Sequence, residues 1–154
     1  MKDYKDLVEI STDAWAEVLV DRTVTEERDL IVLRLVYESV NHEMHASDIA
    51  PHLNYTKHAP VNSQIARFSK RVIARTGVRP PTRENGSIRW WHVPFLGCDK
   101  DDGTCSWIMR PELVEAWEQV FGQADPEIVY PGEMTVQDSA DLFEGAVRKI
   151  VVNR

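Results

Sequence analysis

The segment from Pro60 to Gly77, PVNSQIARFSKRVIARTG, constrains the fold of this chain more than any other stretch. Ile65, Phe68, Val72 and Ile73 recur at helical spacing and form one apolar stripe, so the segment needs a core on one side. Pro60 suits a first helical turn, where its missing N–H costs nothing, and Gly77 supplies a stop. Arg67, Lys70, Arg71 and Arg75 fall largely on the opposite side, with Asn62 and Ser63 near an exposed first turn. The sequence therefore predicts one buried helix face and one basic face.

That basic face stands out against an acidic chain. The 154 residues carry 18 Lys and Arg against 25 Asp and Glu, a net charge of -7. Residues 57–92 hold eight cations (Lys57, Arg67, Lys70, Arg71, Arg75, Arg79, Arg83, Arg89) and one acid, Glu84, for a net +7. The flanking thirds are each net -7. This segregation points to a local anion site on an otherwise repelling body. The competing explanation is a solvated basic face that docks against acidic neighbours of the same fold.

The elements around this helix suggest a mainly α-helical domain with a small β-hairpin, of helix-turn-helix or winged-helix-like order. A short helix is expected over Thr12–Val20, and a stronger one within residues 23–40, where Thr23 and Glu26 have capping-box spacing. Ser47 is placed to cap a short helix, Asp48 to Leu53, whose Ile49 and Leu53 are i, i+4 partners. A short helix, a turn and a helix with a basic outer face is the helix-turn-helix arrangement. SIRWWHVPF and CSWIMR read as two hairpin strands closed by LGCDKDDGT, which would send Trp90 and Trp91 to opposite faces. Pro111 opens a helix that Gly122 ends. Residues 1–122 are thus expected to form a recognition domain. Residues 123–154 are expected to form a linker and a final helix from about Val136 to Arg148, capped by Thr135.

Few kinds of chemistry find support. No run approaches the roughly 18 apolar residues of a membrane span, and the charged start MKDYKDLVEI is unlike a secretory signal. A cytoplasmic setting is expected, with Cys98 and Cys105 as free thiols in preference to a disulfide across the hairpin. The five histidines (His42, His45, His52, His58, His92) lack ligands at convincing offsets and read as surface or capping residues. No nucleophile elbow, P-loop or dinucleotide glycine pattern occurs, so no catalytic role, metal or cofactor is expected.

Several stretches in order resemble the N-terminal half of modification-dependent HNH restriction endonucleases: NHEMHASDIAPHLNYTKHAPVNSQIARFSKRV, WWHVPF, SWIMRPELVEAW and EGAVRKIVVNR. Among these, McrA-like enzymes that cut phosphorothioated DNA carry a DNA sulfur-binding domain of similar size. There a Tyr-Pro pair followed three residues later by Ala forms an apolar cup for the sulfur. The resemblance implies that Tyr55 and Ala59 line such a cup, with Thr56 in the proline position and Lys57 and His58 between them. It also implies an upstream arginine, for which Arg22 and Arg28 are the candidates. The remaining implied DNA contacts are Asn62, Ser63, Arg67, Lys70, Arg71, Arg79 and Arg83.

The implied function is a module that binds phosphorothioate-modified double-stranded DNA, possible as a homodimer. It would have no nuclease activity alone, the HNH domain lying beyond this chain. Alternatives are a binder of unmodified or cytosine-methylated DNA, or a protein-interaction module that docks an acidic partner on its basic face.

Overall fold

A computed structural model describes residues 3–98 and 105–122. They form a mixed α/β domain with five α-helices and one four-stranded antiparallel sheet. In chain order the elements are β1 (Asp3–Tyr4), α1 (Thr12–Val20), α2 (Glu27–Glu38), β2 (Glu43–His45), α3 (Ala46–Ile49), α4 (Ala59–Thr76), β3 (Phe95–Cys98), β4 (Ser106–Met109) and α5 (Pro111–Phe121). Short 3-10 turns occupy Val40–His42, Ala50–Leu53 and Trp90–His92. The sheet order is β1-β3-β4-β2.

A hairpin is present, but its first strand lies later than expected: β3 shares only Phe95 with the expected strand and takes Leu96 to Cys98 from the expected loop. In this hairpin of β3 and β4, Phe95 faces Met109 and Gly97 faces Trp107. It is the middle of the sheet, not the whole of it. β2 pairs with β4 and β1 pairs with β3. Strands of two and three residues carry no alternation that a sequence can display, because long-range pairing alone makes them strands. Gly97 lies at φ +153°, where a Cβ would sit 2.3 Å from the carbonyl oxygen of Ser106. Only glycine lets β3 and β4 approach this closely.

Four local expectations need correction. Strand β3 begins at Phe95, and Trp90 to His92 form a 3-10 turn, so the two tryptophans are not on opposite strand faces. The capping box of α2 lies three residues later than expected: Glu26 is the N-cap and Asp29 returns a bond to its N–H, while Thr23 turns back to Asp21. Helix α3 starts at Ala46 after an N-cap at His45, which places Ser47 inside its first turn. Cys98 and Cys105 form a disulfide, not two free thiols, between residues flanking the ends of β3 and β4. The acidic tip between them, and the proposed C-terminal helix, lie outside the described residues.

The core lies where the helices meet the inner sheet face. Trp15 of α1 stacks on Phe68 of α4 with ring centroids 6.5 Å apart. Phe95 stacks on Trp107 at 5.1 Å, and Leu113, Ala116 and Trp117 of α5 are buried in the same cluster. On α4 the stripe read from the sequence is buried at Ile65, Phe68 and Val72 and half-buried at Ile73.

The segment from Trp90 to Phe95 is locked by a buried imidazole. His92, expected as a surface or capping residue, is fully buried. Its Nδ1–H donates to the Phe95 carbonyl at 2.7 Å and its Nε2 accepts the Asp6 N–H at 3.0 Å, which fixes the tautomer. Arg110 donates twice to the His92 carbonyl, and burial brings its guanidinium down to about 10, so it stays charged at neutral pH. Arg89 lies 3.7 Å from the Tyr4 ring centroid and pairs with Asp6, tying the N-terminal strand to the same region.

Burial holds His92 below the ordinary histidine value, helped by the nearby Arg110 charge. The unfolded chain takes up a proton near pH ~6.5, whereas the folded chain resists it to lower pH. This contribution to stability is therefore complete above that value and is lost as pH falls below it. The urea midpoint of the protein should drop between pH 7 and pH 5, and His92→Gln should show a shallower drop over that interval. Equal slopes for the two proteins would remove His92 from the acid response.

Candidate nucleic-acid interface

The candidate site begins at the link between the Ala50–Leu53 3-10 turn and α4. Asn54 takes a left-handed conformation (φ 62°), which reverses the chain. The Tyr55 N–H then closes onto the Ala50 carbonyl at 3.0 Å. Tyr55 is half-buried and packs against the core, while Thr56, Lys57 and Ala59 are exposed and His58 is half-buried. The exposed, methyl-bearing Thr56 and Ala59 thus follow an anchored aromatic residue in the chain.

Arg28, in the first turn of α2, reaches this ring. Its guanidinium carbon lies 5.4 Å from the Tyr55 ring centroid. Its Nη1 donates to the Leu53 carbonyl at 3.3 Å and approaches the Tyr55 hydroxyl at 3.4 Å. Of the two upstream arginines considered, Arg28 is the one in contact with Tyr55. Arg22 is exposed in the link between α1 and α2.

The start of α4 offers an anion fewer backbone donors than an ordinary helix N-terminus. Pro60 has no N–H, and the Val61 and Asn62 N–H groups both donate to the His58 carbonyl at 3.0 and 3.1 Å. Positive charge at this end must come mainly from side chains such as Lys57 and Arg28.

Helix α4 divides its cations between two faces. Its exposed residues, Ala59, Ser63, Arg67, Lys70 and Ala74, follow helical spacing along one side, and the exposed Arg75 stands beside them. Arg71, expected among the outer cations, turns inward. It pairs with the fully buried carboxylate of Asp29 and donates from Nε to the Val24 carbonyl at 2.7 Å. Arg75 pairs with Asp21 at 3.2 Å and lies 3.8 Å from Glu17. The competing explanation of the charge run, docking against acidic neighbours, is therefore what happens at these two positions. Arg67 and Lys70 remain on the outer face.

Asp29 is the hub of this division. Its carboxylate accepts from the Glu26 N–H at 2.8 Å, from Gln64 Nε2 at 2.6 Å and from Arg71. Burial raises its pKa, against the pull of these three donors. Gln64 in turn accepts from Arg67 Nη2 at 3.2 Å. Lys70 places its ammonium 5.6 Å from the centroid of the half-buried Trp90 ring. Asn62 is half-buried in the first turn of α4. Beyond the helix, Arg79 is exposed and Arg83 donates to the Ile88 carbonyl at 2.9 Å.

Sequence reasoning missed three members of this site. Asp29, Gln64 and Trp90 each act through a neighbour distant in the chain, and a sequence signal existed only for Asp29, as an acid inside an otherwise apolar helix face. Among the described residues, no group of three or more His, Cys, Asp or Glu could hold a metal ion, and no helix is long and apolar enough to cross a membrane. Searches of family models, curated proteins and solved structures find no match for the chain.

Arg71→Ala should leave the Asp29 carboxylate buried without its cation. The expected cost is about 3 kcal/mol, at the lower end for a broken buried pair because Arg71 is partly exposed. Adding Asp29→Asn should recover part of that loss, since the amide carries no charge to strand. Urea denaturation of the two variants checks both statements; an undiminished loss in the double variant would show that the pair is not coupled.

Proposed function

We propose that this domain binds double-stranded DNA and prefers a phosphorothioate-modified backbone, with no nuclease chemistry of its own. The observation that carries the reading is the continuity between the Tyr55–Ala59 turn and the exposed Ser63, Arg67 and Lys70 face of α4. An apolar edge and a cationic helix face thus form one surface.

The element order supports the same reading. Helix α2, strand β2, helix α3, helix α4 and the β3-β4 hairpin follow one another, with β2 paired to β4. This order resembles that of a winged-helix domain, in which α4 would take the place of the recognition helix. An overall net charge of -7 is compatible with such binding, because counterion release depends on the cations at the contact and not on the whole-chain total.

The chemistry of the turn suits sulfur. Both forms of the backbone carry one negative charge per phosphate, so Lys57, Arg67 and Lys70 attract either. A non-bridging oxygen is strongly hydrated and loses more on entering an apolar contact than the larger, weakly hydrated sulfur. The Tyr55 ring, held by Arg28 and the Leu53 carbonyl, together with the Thr56 and Ala59 methyls, supplies that contact.

Competition between duplexes that differ by one sulfur tests the reading. The native chain should favour the modified duplex by about tenfold, equivalent to about 1.4 kcal/mol and within the range of one apolar contact. Tyr55→Ala should reduce that ratio more than it reduces affinity for unmodified DNA. Equal binding of both duplexes would leave a general or methylated-base DNA binder. Failure to bind any duplex at low salt would favour an acidic protein partner.

A further inference from the structure

We infer that Arg67 reads sequence in this interface, and that the base it takes is a guanine near the modified phosphate. This rests on the DNA-binding reading above. The argument starts from how differently the two outer cations of α4 are held. Lys70 lies against the Trp90 ring, an arrangement that fixes a charge but no hydrogen-bond direction. Arg67 is exposed, yet its Nη2 is tied to Gln64 Oε1 at 3.2 Å.

Gln64 is itself immobilised. It is 2% exposed and its Nε2 donates to the fully buried Asp29 at 2.6 Å. A chain of hydrogen bonds therefore runs from the inside of the fold to one corner of an exposed guanidinium. A phosphate contact gains little from such support, because a point charge is satisfied from many directions. A planar fork that must meet two acceptors at once gains directly from it, since less rotamer freedom is lost on contact. Guanine presents that pair of acceptors, O6 and N7, in the major groove.

The neighbours of Arg67 on the exposed face permit the approach. Ala59, Ser63 and Ala74 are small, so the helix can enter a groove closely on either side of Arg67. Eight residues separate Ala59 from Arg67, about 12 Å along the helix axis. At about 3.4 Å per base pair, the guanine lies within about three or four base pairs of the phosphate at the Tyr55–Ala59 turn.

The experiment selects duplexes from a library randomised for about six base pairs around a single phosphorothioate, using the full chain. A guanine should be enriched at one position. Arg67→Lys should keep the melting temperature and the salt dependence but abolish that enrichment. As a second measurement, 7-deazaguanine at the selected position should weaken binding about fivefold or more for the native chain and negligibly for Arg67→Lys. Duplex binding without a guanine preference, or with one that survives Arg67→Lys, overturns this inference alone. Absence of duplex binding by the native chain overturns the DNA-binding reading and this inference with it.

Discussion

The buried carboxylate of Asp29 organises this structure. It sits at the third position of α2, where it returns a bond to the Glu26 N–H, and it collects Gln64 and Arg71 from α4. A lone charge of this kind in an apolar interior would be prohibitively expensive, so its three donors are a condition of its being there. They set the rotation of α4 about its own axis. Once Gln64 and Arg71 face Asp29, Ile65, Phe68 and Val72 face the core, and Ser63, Arg67 and Lys70 face outward.

This division changes what the charge segregation means. Eight cations in residues 57–92 look from the sequence like one basic surface. In the fold, Arg71, Arg75 and Arg89 are paired with Asp29, Asp21 and Asp6, all from the acidic first third. Part of the imbalance between thirds is thus the two halves of intramolecular ion pairs, separated in sequence and joined in space. Fewer cations are therefore open to an external anion: the exposed Lys57, Arg67, Lys70 and Arg79 are strung from the Tyr55 turn to beyond the end of α4. A smaller set of placed charges carries more geometric information than a broad basic patch, at the cost of weaker non-specific attraction.

Helices were legible because their signals are local. The Thr12–Val20 limits, the Pro111 start, the Gly77 stop and the α4 stripe all follow from residues within a turn or two of each other. Strands β1 and β2 were not legible, since each becomes a strand only by pairing with β3 or β4, far along the chain. Trp90 and Trp91 differ from expectation for a related reason: β-prone residues predict a strand, but the His92 hydrogen bonds to Asp6 and Phe95 hold the segment in a 3-10 turn. For the cysteines, compartment predicts free thiols, whereas hairpin register decides the matter by bringing their Cα atoms to 5.5 Å. At the candidate site the turn and the helix were legible, but the sequence could not tell the exposed Arg67 from Arg71, four residues on and paired with the buried Asp29.

The Tyr55 turn itself shows why a resemblance in residue spacing transfers only part of a site. Where the resembled family has proline after the tyrosine, this chain has Thr56, which leaves a backbone N–H and a rotatable hydroxyl beside the methyl. A hydroxyl near a buried phosphate oxygen would favour oxygen, while the methyl favours sulfur. Which of the two faces the anion depends on χ1, and the β-branch restricts that choice to few rotamers. The tyrosine is fixed independently, through Arg28 and the Ala50 carbonyl, so the aromatic wall does not depend on residue 56. If the turn holds a backbone anion as proposed, discrimination there would reduce to one torsion angle at Thr56 beside the Tyr55 ring. Thr56→Val removes the hydroxyl at nearly constant shape, so it should raise the preference for sulfur while leaving the affinity for unmodified duplex close to or below that of the native chain. A reduced sulfur preference in that variant would mean that the hydroxyl, not the methyl, supports the bound form.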